Sequence, residues 1–407
     1  MSADRPDPTA AHQSRGRRHR GWWTAAAAAV VIAGAVPVTV SARQVSPAPG
    51  AAPESRQTFS IVLPASGPLH DAWQAFNAGD LDRADALLDA VGRTEPKNPL
   101  VHLARGLVAQ QRGQAEAAVD ALTRALDLSP RLTPASLVLG ELLYERADLA
   151  GAIRTYEAAL AAAPGERRLA ARLDRWRQEA ALHATFLQTH GSHFTVLVEG
   201  PAEEAVAQRA IDLLEAAYDR INPTLLTYPT EPITVIFYTR DQFRDITRSP
   251  QWSGGVFDGR IRVPLRGAVN DPRELERVLT HEYVHALVHS VAPRSVPTWL
   301  NEGLAGYFET GGLARAWTAV RGEARRLSLA TLAGSFASLQ AGEVDLAYAQ
   351  SVLAVNAMID RVNVLIVMAL VTDVSGGIDF NDAFVQRFGI AFADFEREYL
   401  TTKAPAR

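Results

Sequence analysis

The 407-residue sequence has no cysteine, and its formal net charge is only −4. The first absence excludes a disulfide framework and thiolate chemistry, and with them a lipobox-type lipid anchor. It fits many compartments. The small net charge gives no reason to expect a nucleic-acid partner. What is present is apolar material, 47 % of the chain, which is ample for packed cores. The length points to two or three domains.

The N-terminus reads as a targeting segment. Arg15, Arg17, Arg18, His19 and Arg20 precede an uncharged run from Gly21 to Ala42. The run is about as long as a membrane-spanning helix. It also has the small-residue exit, Val40-Ser41-Ala42, of a signal peptide. Both readings keep the basic cluster cytoplasmic and everything after about residue 43 outside the membrane. The length of the run favours an uncleaved anchor over residues 1–42; cleavage would instead give an exported protein. Residues 43–67, rich in Pro, Ala and Ser, read as a linker. A second long apolar run, Ser351 to Val374, carries Asp360 and Arg361 at its middle and reads as a buried helix.

Between residues 65 and 165 the chain repeats with a period of 34. Gly79 and Gly113 align with Ala147; Ala84, Ala118 and Ala152 align; so do Leu88, Leu122 and Tyr156. Pro96, Pro130 and Pro164 close the units, and Ala72, Gly106 and Gly140 let paired helices approach. The pattern resembles the tetratricopeptide repeat, a helix–turn–helix unit of this length. The resemblance implies an all-α stack over residues 68–188, capped by the amphipathic stretch Glu166 to Leu187, that binds a protein partner. From residue 189 to 403 the pattern turns to α+β. Phe194 to Val198 and Ile233 to Tyr238 read as strands around a long helix, Ala202 to Ile221. Gly254 to Pro264 reads as a glycine-bounded strand or hairpin, with Pro264 favouring a sheet edge. His190 and His193 form a close pair without a nearby third ligand and read as a loop.

Chemistry concentrates in His281-Glu282-Tyr283-Val284-His285. On a helix, positions i and i+4 share a face, so both imidazoles can hold one zinc while Glu282 polarises a bound water. The local signals support a helix there. Asp271 reads as its N-cap, Pro272 suits the first turn, Glu274 can close a capping box, and Pro293 marks the end. Pro297 then opens a second helix carrying Glu302, a candidate third ligand that leaves one position open, as in catalytic sites. His289 also falls on the histidine face, but two turns from His281 put it about 12 Å away, too far for the same ion. Val288 and Val291 stand where a metzincin needs Gly and His.

Leu279 to Phe308, LTHEYVHALVHSVAPRSVPTWLNEGLAGYF, resembles the gluzincin branch of zinc metallopeptidases, most closely the bacterial peptidase MA-like domains that accompany helical repeats. The resemblance implies a zincin fold, one zinc ion on His281, His285 and Glu302, and Glu282 as general base in peptide-bond hydrolysis. Sixteen residues separate His285 from Glu302, slightly fewer than in better-known gluzincins. Related enzymes stabilise the oxyanion with a Tyr or His from a later helix. Tyr348, at the head of an apolar helix, can play that part or simply be a packed tyrosine; Gln350 is the weaker candidate. The expectation is a multidomain protein: a helical stack that recruits a protein substrate or partner, followed by a zinc peptidase. Its rival is a membrane-tethered scaffold without catalysis, in which Glu282 has no chemical purpose.

Overall fold

The computed structural model describes residues 35–42, 57–64, 66–247, 255–265, 271–293, 296–321, 326–340 and 342–401. The chain is mostly helical, with a small mixed sheet. Three helix pairs come first: α1 (Pro68–Asn77) with α2 (Leu81–Thr94), α3 (Pro99–Gln111) with α4 (Ala115–Leu128), and α5 (Thr133–Glu145) with α6 (Leu149–Ala162). Helix α7 (Arg167–His183) then lies against α6. Prolines sit in the first turns of α1, α3 and α5, where no amide hydrogen is needed. The turns inside the pairs place Gly79, Gly113 and Ala147 at φ of 81°, 71° and 64°. Glycine adopts this left-handed conformation freely; Ala147 adopts it against its Cβ.

Contacts recur with the 34-residue offset. A Cβ on Gly106 would lie 2.6 Å from Leu122, and one on Gly140 would lie 2.2 Å from Tyr156, so each pair closes where its first helix lacks a side chain. Arg112 pairs with Asp82, and one period later Arg146 pairs with Glu116.

Two expectations near the N-terminus are corrected. Ala35–Ala42, the end of the apolar run, is a strand (β1) and not the close of a helix. It pairs antiparallel with β2 (Gln57–Pro64), which occupies part of the expected linker. In β1, Val36, Val38 and Val40 alternate along the strand, a spacing that suits a half-buried strand. The basic cluster and residues 21–34 lie outside the described residues.

The sheet contains β3 (Leu187–His190), β4 (Phe194–Val198), β5 (Ile233–Tyr238), β6 (Val256–Phe257) and β7 (Ile261–Pro264), in the order β3-β4-β5-β7-β6. Strands β4, β5 and β7 are parallel, and β3 and β6 flank them antiparallel. The expected hairpin forms the end of the sheet, with β6 outermost; β6 pairs only with Ile261 and Arg262, so Pro264, the last residue of β7, has a strand on one side only, where proline is tolerated. Helix α8 (Glu204–Leu225) lies across the sheet and buries Ala207, Ala210, Ile211 and Leu214. The short helix α9 (Arg240–Thr247) follows β5.

The described residues that follow are mainly in α10 (Pro272–Val291), α11 (Thr298–Phe308), α12 (Gly312–Ala319), α13 (Val344–Arg361), α14 (Val364–Ser375), α15 (Phe380–Phe388) and α16 (Phe392–Thr401). The run Ser351 to Val374 is two helices, α13 and α14, bent by 113°, where a single one was expected. Asn363, at φ 126°, sits at the break and caps α14, and the bend carries Asp360 and Arg361 to the surface. Among the described residues no single helix is long and apolar enough to cross a membrane.

The stack meets the sheet through a buried charge cluster. Arg262 on β7 is fully buried. Its Nε donates to both carboxylate oxygens of Asp258 at 2.8 Å, and Nη1 donates to the Tyr238 hydroxyl at 2.6 Å. Nη2 donates to the Tyr144 hydroxyl at 2.9 Å and lies 2.9 Å from Glu179. Tyr144 in turn donates to Glu179 at 2.8 Å, and Tyr238 lies 2.6 Å from His183 Nε2. Burial opposes ionisation of Glu179, but Arg262 and Arg260 outweigh it and hold the carboxyl below its ordinary range. A buried arginine is tolerated when every nitrogen has a partner, as here.

Candidate metal centre

Helix α10 begins as the sequence leads one to expect at Asp271, whose Oδ1 accepts from the amides of Arg273 and Glu274 at 3.0 and 3.4 Å. The second half of the expected capping box is absent. Glu274 turns instead to Arg277, 2.6 Å away, because an ion pair one turn on outcompetes the N-cap amide for the carboxylate. Leu275, Val278, Leu279, Val284, Leu287 and Val288 are buried and fix the helix's rotation. Helix α11 starts after Pro297 and packs against α10 and α13. Gly303 makes this packing possible, since a Cβ there would lie 2.3 Å from the Ser351 carbonyl oxygen.

This arrangement brings His281, His285 and Glu302 together, with one donor atom from each within 4.8 Å of the others. His281 Nε2 is 3.2 Å from one Glu302 oxygen, and His285 Nε2 is 3.7 Å from the other. The imidazoles stand at 86° with centroids 4.8 Å apart. Glu302 is 1 % exposed, and its Oε1 has no hydrogen-bond donor within the protein. A buried carboxylate oxygen facing two imidazole nitrogens fits a divalent cation, which takes nitrogen and oxygen donors in this combination.

Protonation follows burial and partners. Burial pushes His285 down to about 4, which keeps its imidazole neutral, the form that ligates metals. His281 is also buried, but hydrogen bonds with Glu302 and Glu309 override that and raise it well above its usual range. Glu282 is buried beside the group, and desolvation pushes its carboxyl up to about 8. Tyr348 lines the same cleft, its ring edge-on to Phe336. Burial raises its hydroxyl far above the ordinary range, and the charges of Glu302 and Glu282 add to this. The cleft holds about 580 Å³, with Gly255 and Val256 on one wall and Ala316, Val344 and Val352 among the residues opposite.

Other sequence candidates lie apart from this centre. His289 packs edge-on to Phe257, with ring centroids 5.4 Å apart. Gln350 is buried and accepts from the Leu327 amide. His193 stacks on Tyr218 and pairs with Glu215 at 2.6 Å. Gly254 lies outside the described residues.

Glu309 is the functional side chain that motif reading overlooked. It accepts from His281 Nδ1 at 2.8 Å and so aims Nε2 at Glu302. Burial opposes its charge, but His281, Arg277 and Arg315 hold its carboxyl below the usual range. It is the first residue after α11, seven positions beyond Glu302, where the chain turns extended.

Residues 220–403 match the model of the Peptidase MA superfamily, which supports a peptidase MA-like, zincin-like domain in this part of the chain. The match covers the three clustered donors, Glu282, Glu309 and Tyr348, and stops short of the helical stack. A domain of this superfamily points to metal-dependent peptide hydrolysis as the class of chemistry. No curated protein matches the chain.

Proposed function

We propose that the protein is a zinc metallopeptidase of gluzincin type, with His281, His285 and Glu302 holding the ion and Glu282 acting as general base. The clustering of those three donors beside a buried Glu282 carries the reading. When bound, zinc supplies Lewis-acid activation of water and of the scissile carbonyl. Glu282 takes the proton of the attacking water and returns it to the leaving nitrogen; its raised proton affinity suits that task. Glu309 keeps the His281 proton on Nδ1, leaving Nε2 as a donor. Tyr348 donates its hydroxyl hydrogen to the oxyanion as it develops. Strand β6, at the sheet edge, offers its backbone to an extended peptide.

The reading extends to the rest of the chain. The three helix pairs are tetratricopeptide-like repeats, supported by turns, glycine contacts and ion pairs that recur every 34 residues, and they recruit a protein substrate or partner. The basic cluster and the uncharged run after it support a location outside the cytoplasmic membrane, anchored or exported. A C-terminal reporter active only in the cytoplasm would contradict that location.

The direct test is metal analysis with a peptide-library digest. Wild type is expected to hold about one zinc per chain. Glu282→Gln keeps the metal and loses at least ~10²-fold in hydrolysis. His281→Ala and His285→Ala lose both metal and activity. Undiminished cleavage by Glu282→Gln rules out the mechanism.

A further inference from the structure

The ten residues from Gly255 to Pro264 touch the helical stack at one end and the centre of the cleft at the other. At the stack end the turn residue Gly259 has φ +91°, and a Cβ there would lie 1.8 Å from the carbonyl oxygen of Glu145, the last residue of α5. That position has no space for a side chain, and its backbone conformation disfavours one. Arg260 lies over the Tyr144 ring at 5.3 Å, and Arg262 is locked between Glu179 and Tyr144 of the stack and Asp258 and Tyr238 of the sheet. A second contact lies nearby, where a Cβ on Gly113 would meet Pro293, just beyond α10, at 2.7 Å.

At the cleft end, a Cβ on Gly255 would lie 2.7 Å from both Cγ and Oε1 of Glu282. Gly255 and Val256 form a wall of the cleft, and Phe257 packs on His289 of α10. The hairpin therefore has two fixed points, one of them outside the peptidase domain. Glu145 and Glu179 are one 34-residue period apart, so the hairpin docks on equivalent positions of two successive units, α5 and α7.

We propose that Arg262 and Glu179 are positioning residues: through them the helical stack holds β6 against Glu282 and sets the substrate-binding edge of the cleft. This rests on the peptidase reading for its functional half. It departs from a division of labour in which the stack only recruits. Glu179 and Arg262 touch no reacting atom. They act through the hairpin, so losing their pairing leaves the metal donors in place and loosens the edge along which an extended peptide runs.

The test uses the full chain carrying Glu179→Gln, which keeps the shape but removes the charge, with Tyr144→Phe as a second, milder variant. Three quantities are read: zinc affinity by chelator competition, hydrogen exchange of the hairpin amides, and kinetics on two substrates. One substrate is a peptide long enough to lie along β6, and the other is a short chromogenic amide that does not reach it. Zinc affinity is expected to stay at the wild-type value while hairpin exchange accelerates. KM for the long peptide rises about tenfold with kcat little changed, and the short amide is cleaved as before. Glu179→Asp, which restores the charge, recovers part of the long-peptide KM. Unaltered hairpin exchange, or equal losses on both substrates, overturns the proposal. If wild type cleaves neither substrate, the peptidase reading falls, and the exchange arm still decides whether the stack holds the hairpin.

Discussion

The helical stack and the peptidase domain both bury helices against helices, but they place charge differently. In the stack's first two pairs the interior is alanine, leucine and valine, with Trp73 and Phe76 at the start, and the ion pairs of Arg112 and Arg146 lie toward solvent. In the peptidase domain Glu282, His285, Glu302 and Arg262 are all at most 5 % exposed. A charge in a low-dielectric interior is expensive without partners. The peptidase-like domain therefore carries a burden that the first two helix pairs avoid, and part of the compensation for Arg262 comes from the end of the stack. The border between the regions lies at α5 and α7, where the apolar repeat pattern gives way to Glu141, Tyr144 and Glu179.

The strongest way to break this contrast is to remove the stack. Deleting residues 65–188 takes away Glu179 and Tyr144, uncovers Arg262 and removes the surface on which the hairpin packs. The truncated chain is expected to melt far below the full protein by circular dichroism. A truncation as stable as the full chain would make the two regions independent.

A second route is pH. Burial lowers His183 to about 4 from 6.5, so the unfolded chain binds a proton that the folded one refuses between those values. Stability is complete above about 6.5 and falls as the pH drops toward 4, by up to about 3 kcal/mol. Glu179, also lowered, adds to the loss below its ordinary range. Thermal melts from pH 8 to 4 should show this decline, and His183→Gln should flatten it.

Tyr348→Phe sharpens the picture on the catalytic side. Removing an oxyanion donor is expected to lower kcat by about 10²-fold with little effect on KM. An unchanged kcat would leave Tyr348 as a packing residue. The smallest effect belongs to the stack. Ala147→Gly relieves a left-handed alanine and should raise stability by about 1 kcal/mol, read as a shift in urea midpoint.

Much of this contrast was legible in the sequence. The 34-residue register put glycine or alanine at the turns, and the structure places Gly79, Gly113 and Ala147 there with positive φ. Asp271, Pro272 and Pro297 marked helix boundaries because capping and ring geometry are local. His281, His285 and Glu302 were readable because one-turn spacing and a short return are also local. What stayed hidden depends on pairing across the chain. Pro264 suggested an edge, but the order of the sheet was not readable, because β7 pairs with β5, more than twenty positions earlier. Asn363 broke the apolar run through a conformation that hydropathy does not encode. The role of Arg262 had no local signal, since its partners Tyr144 and Glu179 lie 118 and 83 positions earlier.

The docking of Gly259 onto the Glu145 carbonyl also constrains the order in which the chain assembles. The seat for the hairpin is the end of α5, and the cradle for Arg262 needs α7, both of which leave the ribosome before the hairpin does. Chains generally fold their N-terminal units first during synthesis. The stack thus stands ready as a template on which β6 and β7 close the sheet. Helix α10, with both histidines, follows directly in the chain. Maturation then runs in one direction, from repeats to sheet to metal donors. A fault introduced early, such as a side chain at Gly113, would surface late, in how the hairpin closes the sheet.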